Sequence, residues 1–263
     1  MKNIILESLK KIETDHNIKI LYACESGSRA WGFPSLDSDY DVRFIYIHHP
    51  DWYLSIDEKR DVIELPINNL LDINGWDIRK SLKLFRKSNP PFLEWIQSGI
   101  VYYEQYSFIN RVKDIRSEMF SPTACIHHYL SMARGNYRNY LQGEQVKIKK
   151  YFYVLRPLLA SKWIEKYNTM PPILFSELLQ EIVPEGELKN QINTLLLRKM
   201  SGDEMDFESR IEIINQYIEI ELRNLEEYVK SINHEHEREH KSTESTKILD
   251  QLFRETLKEA WSM

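Results

Sequence analysis

Cysteine is scarce: Cys24 and Cys125 are the only two in 263 residues. They stand far apart and without metal-ligand spacing, so they read as reduced, buried thiols rather than a disulfide or a zinc site. Long apolar runs are missing too, since none approaches the roughly 20 residues of a membrane-spanning helix. The opening Met1-Lys2-Asn3-Ile4-Ile5-Leu6-Glu7 meets charge too soon for a signal peptide. Together these predict a cytoplasmic chain with no membrane partner. An excess of positive charge is also lacking: 35 Lys and Arg face 40 Asp and Glu, for a net charge of −5. The basic footprint of a dedicated duplex binder is therefore absent from the chain as a whole.

What is present is core material. Hydrophobic residues make up 42% and aromatics 12%, with 15 Tyr and 6 Trp, which argues against disorder. Ile5, Leu9 and Ile12 fall at helical spacing and predict an amphipathic helix over residues 4–15. Ile18–Cys24 is β-rich and reads as a strand, followed by a turn at Glu25–Ser28. A short helix, Ser28–Gly32, is stopped by Gly32 and Pro34. Asp39–Ile47 reads as a second strand, with Val42, Phe44 and Tyr46 on one face and Asp39, Asp41, Arg43 and Ile45 on the other. Asp61–Pro66 and Asn69–Ile73 read as two short strands, and from Trp76 onward the pattern is helical.

The expected fold class is α+β. It divides into an α/β domain over 1–100, a helical domain over 101–232, a polar linker over 233–247 and a C-terminal helix over 248–263. No internal repeat is visible. His48-His49 closes the second strand as a turn, and Trp52, Trp76 and Trp95 read as core. The i, i+4 pair His236 and His240 has zinc-compatible spacing but sits in a polar run that reads as solvated charge.

The chemistry concentrates between Gly27 and Arg43. Asp39 and Asp41 are two apart at a strand start, so they share a face, roughly 6.5 to 7 Å apart along the strand. That spacing suits two carboxylates sharing a pair of divalent ions about 3.5 to 4 Å apart. Oxygen ligands select hard ions, Mg²⁺ or Mn²⁺. An isolated Asp-x-Asp is more often a solvated or turn-capping pair. Here a Gly-Ser turn precedes it and opens a short helix. Gly27 allows close backbone approach, and Ser28 with the helix-start N–H groups can hold a phosphate. Phosphate cradle plus metal-binding pair is what phosphoryl chemistry on a nucleoside triphosphate needs.

The arrangement resembles the DNA polymerase β-like nucleotidyltransferase superfamily. Within it, the sequence is similar to the RNA-ligase-associated, RNA repair pathway family. The matching strings are Gly-Ser-Arg-Ala-Trp-Gly-Phe from Gly27, Ser-Asp-Tyr-Asp-Val-Arg from Ser38, Gly75–Lys80, Ser88–Trp95 and Lys149–Pro157. The resemblance implies a third carboxylate on a later strand. Asp72, set between apolar residues, is the choice over Asp77, whose position near a helix start is explained by capping. Arg29, Lys80, Lys150 and Arg156 are candidate triphosphate contacts, the last two in a basic run interleaved with Tyr151, Phe152 and Tyr153. The implied cofactors are two Mg²⁺ or Mn²⁺ ions held by Asp39, Asp41 and Asp72. The implied reaction is attack of a hydroxyl on the α-phosphate of an NTP, with release of pyrophosphate. The resemblance points to an RNA 3′ end in repair as acceptor. The residues alone leave open a protein or small-molecule hydroxyl accepting an adenylyl group, or a non-catalytic nucleotide- or RNA-binding module.

Overall fold

The structure is a computed structural model describing residues 1–67, 70–203, 206–232 and 238–262, and of 238–242 only the backbone. In chain order the first elements are α1 (Lys2–His16), β1 (Ile18–Glu25), α2 (Gly27–Ala30), β2 (Tyr40–His48), α3 (Pro50–Tyr53), β3 (Val62–Glu64) and β4 (Leu71–Asp77). They continue with α4 (Ile78–Arg86), α5 (Pro90–Trp95), β5 (Val101–Glu104), α6 (Phe108–Asp114) and α7 (Arg116–Met119). Next come α8 (Pro122–Tyr140), β6 (Gln145–Lys147), a 3-10 turn (Ile148–Lys150), α9 (Tyr151–Tyr167), α10 (Phe175–Ile182) and α11 (Glu187–Ser201). The chain closes with β7 (Phe207–Ser209), α12 (Glu212–Ser231) and α13 (Arg238–Trp261). The fold is α+β, with a helical C-terminal half. No helix among the described residues is long and apolar enough to cross a membrane.

Two compact units form. The first holds Met1–Ala30, Asp39–Phe120 and α13; the second holds Trp31–Ser38 and α8 through α12. The first unit is built on a sheet ordered β3-β4-β2-β1-β5. β2 and β4 run parallel and the other pairs antiparallel. One face is sealed by α1: Ile5, Leu9 and Ile12, as the periodicity predicts, pack with Val42, Phe44, Tyr46, Leu71 and Ile73. By strand alternation Ile45 and Ile47, also fully buried, point to the opposite face, where α4 packs on β2 and β4. Asp41 and Arg43 share that parity.

Several elements differ from the sequence reading, among them the short strands β6 and β7 within the half read as helical. β4 runs on to Asp77, and α4 begins at Ile78 rather than near Trp76. Gly75 keeps the strand going because the Phe44 ring fills the space a side chain would need: a Cβ there would lie 2.2 Å from it. β5 was not anticipated. It is an edge strand whose residues are exposed or half-buried, so it carries no alternating apolar signal. The linker expected over 233–247 is helical from Arg238 onward. Its polar residues are used: Arg86 of α4 donates to Thr246 at 2.7 Å, and Lys247 pairs with Glu244 at 3.7 Å. Asn69, His234, His236 and the side chain of His240 lie outside what the structure describes.

In the second unit, Phe33 lies between Phe152 and Phe175, at ring distances of 5.0 and 5.4 Å. Lys199, almost wholly buried, donates to the hydroxyls of Ser35 and Ser38 at 2.6 and 3.3 Å. A buried ammonium needs such partners.

Candidate functional site

β1 ends in Glu25 and turns through Ser26 into α2, while β2 returns beside it. The N–H of Ser26 donates to the carbonyl of Asp41 at 2.9 Å. Gly27 takes a φ of 60°, the left-handed region that favours glycine. A Cβ on Gly27 would sit 2.1 Å from Oδ2 of Asp41, so the Asp41 carboxylate lies directly against this turn. The Ser28 hydroxyl, half-buried, makes no hydrogen bond among the described residues.

The parallel register of β2 and β4 sets Asp41 opposite Asp72. The two carboxylates share one counter-charge. Nη2 of Arg43 donates to Oδ1 of Asp41 at 3.0 Å and to Oδ2 of Asp72 at 2.7 Å. Its Nη1 donates to the carbonyls of Val42 and Asp72, both at 3.1 Å. Despite that guanidinium, the Asp41 carboxyl is pushed above its ordinary range, by burial first and then by the charges of Asp72 and Asp39. Asp39 is exposed, immediately before β2, and its carbonyl accepts from Nε of Arg29 at 3.0 Å. The Arg29 guanidinium also lies 3.8 Å from the centre of the Tyr40 ring, so this side chain pins the entry to β2.

Behind Asp41 is a residue the sequence reading did not single out. Glu25 is fully buried; its Oε1 accepts the N–H of Asp41 at 2.8 Å and its Oε2 the hydroxyl of Tyr102. Burial raises its pKa. The signal was an acid ending an apolar strand, where a carboxylate must find partners. Arg43 was placed on the right face but not as a bridge, because the bridge depends on which residue of β4 stands opposite.

Asp77 and Lys80 are not brought to this point. Asp77 is five residues along β4 from Asp72 and of opposite parity, hence about 17 Å away and on the other face. It caps α4, accepting the N–H of Arg79 at 2.8 Å and the Tyr53 hydroxyl at 2.7 Å. Burial pushes it up to about 6. Lys80 pairs with Asp61 at 3.1 Å, beside Asp77. Lys150 and Arg156 belong to the second unit. The Lys150 ammonium stands 4.6 and 4.5 Å from the rings of Tyr140 and Tyr153. Arg156 is buried, its guanidinium 4.7 Å from the Trp31 ring and its Nη2 donating to the carbonyl of Ile173 at 3.3 Å.

Among the described residues, no three His, Cys, Asp or Glu side chains are gathered as a ready metal cage. The donor chemistry nonetheless fits a hard divalent ion. The donors are carboxylate oxygens only, and Asp72 and Asp39 both place negative charge near the buried Asp41 carboxylate.

Residues 1–255 match the RNA repair pathway DNA polymerase beta family, and the chain belongs to that family. It is 52% identical over 261 residues to the uncharacterized protein YcgL of Bacillus subtilis (strain 168), covering 99% of this chain and 98% of that one. Among solved structures, a nucleotidyltransferase-like protein from Exiguobacterium sibiricum 255-15 aligns with 95% of this chain and 79% of its own. The identity is 14% and the TM-score 0.32.

Proposed function

We propose that this protein is a metal-dependent nucleotidyltransferase. It would move a nucleoside monophosphate from an NTP to a hydroxyl, the 3′ end of an RNA under repair, and release pyrophosphate. The observation that carries the reading is the juxtaposition of Asp41 and Asp72 across β2 and β4, with the Gly27 turn against Asp41. Membership in a family tied to RNA repair supports the acceptor.

In this reading Asp39, Asp41 and Asp72 hold Mg²⁺ or Mn²⁺, which neutralises phosphate charge and lowers the pKa of a hydroxyl. Gly27 lets the phosphates approach the backbone, and the unengaged Ser28 hydroxyl donates to a phosphate oxygen. Glu25 fixes the backbone of Asp41 and so aims its carboxylate. Before the ion binds, Arg43 keeps Asp41 and Asp72 together by balancing their charge. The acceptor oxygen bonds to the α-phosphorus as the bond to the bridging β-phosphate oxygen breaks. The hydroxyl proton leaves to solvent and pyrophosphate departs. Positioning and charge balance supply the acceleration; no covalent enzyme intermediate is needed.

The test is incubation with α-labelled NTPs, Mg²⁺ or Mn²⁺, and RNAs with free 3′ hydroxyls. Label should enter RNA, and Asp39→Asn with Asp41→Asn should abolish it. Label entering protein or a small hydroxyl compound instead would keep the site and change the acceptor. Transfer that survives the double substitution would remove the site.

A further inference from the structure

The helix α4 carries a feature the proposed reaction does not use. With the residue that caps it, α4 holds Arg79, Lys80, Lys83, Arg86 and Lys87 and not one acid, in a chain whose net charge is −5. Ile78, Leu82 and Phe85 are buried, and the five cations share the other side of the helix. Lys80 is paired with Asp61 at 3.1 Å. Arg79 is seated 5.4 and 4.8 Å from the Trp52 and Tyr53 ring centres, with Asp77 nearby. Lys83, Arg86 and Lys87 are exposed and have no ion-pair partner among the described residues. Because α4 follows β4 directly and packs on β2 and β4, it doubles back along them. Its last turn, with Arg86, is therefore directed toward the strand ends that carry Asp41 and Asp72.

Between α4 and α13 opens a cavity of about 220 Å³, with Arg79, Lys83 and Arg86 in its wall. Asp250 of α13 is the single carboxylate lining it, and it pairs with none of the three cations. The rest of the wall is largely apolar. Leu82 and Leu249 are nearly buried, and the half-buried Phe253 sets its ring 5.0 Å from that of Tyr53. From Arg79 to Arg86 the cations climb about 10 Å along the helix, more than one phosphate spans. The cavity is smaller than the roughly 300–1,000 Å³ that engulfs a whole small ligand. It suits a planar base whose sugar and phosphates stay outside, on the cations.

We infer that the groove between α4 and α13 binds single-stranded RNA, one base in the cavity against Phe253 and the flanking phosphates on Lys83 and Arg86. A stacking ring beside a row of cations holds a strand whatever its sequence. An acidic peptide would answer the charge and leave the apolar cavity unfilled. The inference rests on the RNA acceptor proposed above and adds where that strand lies: past Arg86 it heads for Asp41 and Asp72. It is read by binding, without NTP or metal, so it fails or stands separately from the reaction.

The test is anisotropy of labelled single-stranded oligoribonucleotides with the full chain, NTP and divalent ions left out. Lys83→Gln with Arg86→Gln, both at exposed positions, should weaken binding about tenfold at low salt. The slope of log K against log salt should fall by about 1.4, as two phosphates lose their cations. Phe253→Leu keeps the cavity apolar but removes the ring, and should weaken binding about fivefold. Lys10→Gln with Lys11→Gln, exposed on α1 across the sheet, should change nothing. Weakened binding in the α4 variant supports the groove even in a chain that transfers no nucleotide. Transfer to RNA with binding unaltered in that variant overturns the groove and leaves the reaction standing. An equal loss in the α1 variant, AMP bound as tightly as the oligonucleotide, or displacement of the RNA by polyglutamate of matched charge also overturns the inference.

Discussion

Asp41 is engaged from every side. Its N–H goes to Glu25, its carbonyl to Ser26, Oδ1 to Arg43, and Oδ2 abuts Gly27. Such a residue tolerates little displacement, and the weak point is Gly27. Gly27→Ala puts a methyl where the carboxylate is and forces alanine into a left-handed backbone. That backbone alone costs about 1–2 kcal/mol. Because positioning dominates this chemistry, nucleotidyl transfer should fall about a hundredfold. Urea denaturation and a transfer assay on Gly27→Ala check both numbers. A variant with unchanged activity would show that Gly27 is only a turn residue. At this scale the sequence was readable wherever one residue type met one requirement, as glycine did here. It was unreadable for Arg43 and Glu25, whose partners are fixed by cross-strand register.

At the scale of elements, β4 carries two aspartates with different fates. Asp72 faces β2 and a guanidinium; Asp77 ends the strand as a buried helix cap. The choice between them rested on capping at Asp77 and on the apolar neighbours of Asp72, and the register sets Asp72 rather than Asp77 opposite Asp41. Asp77 also supplies a pH test. Its folded pKa, about 6, lies above the unfolded value near 3.8, because burial disfavours the ionised form. A raised carboxyl contributes stability that is complete below about pH 4 and is lost as pH rises through about 6. The loss is at most about 3 kcal/mol. Asn caps helices as well as Asp does. Asp77→Asn should therefore remove the decline in stability between pH 4 and 6 while leaving transfer activity intact, as denaturation midpoints across that range would show. A pH slope that survives the substitution would place the titration elsewhere. The strands β1 and β2 were legible because a buried face writes itself as alternation or as an apolar run. β5, an edge strand with no buried residue, wrote nothing.

At the scale of the whole molecule, sequence order is a poor guide to the units. α13 belongs with the sheet unit although most of the helical half separates them in the chain. It packs on α4 and α6 through Leu249 and Leu252, both nearly buried, and pairs Glu255 with Arg111. Packing outweighs the ion pair. Leu252→Ala should cost about 2–3 kcal/mol, within the range for buried leucines. Arg111→Ala, removing a well-exposed pair, should cost less than about 1 kcal/mol. Thermal or urea unfolding of the two variants makes the comparison, and the reverse order would mean that α13 is held by charge. The polar run before it reads as linker from composition alone. Thr246 of that run accepts from Arg86 of α4, a contact no local pattern records.

The central claim is that Asp41 and Asp72 form one ion-binding centre for a triphosphate. A crystal structure with Mn²⁺ and a nonhydrolysable NTP tests it most directly, the anomalous signal of the metal locating the ion. The expected result is Mn²⁺ on carboxylate oxygens of Asp41 and Asp72, the phosphates against the Gly27–Ser28 turn, and Arg43 no longer bridging the pair. Mn²⁺ bound at Asp77, or nucleotide bound elsewhere with the Arg43 bridge intact, would contradict it.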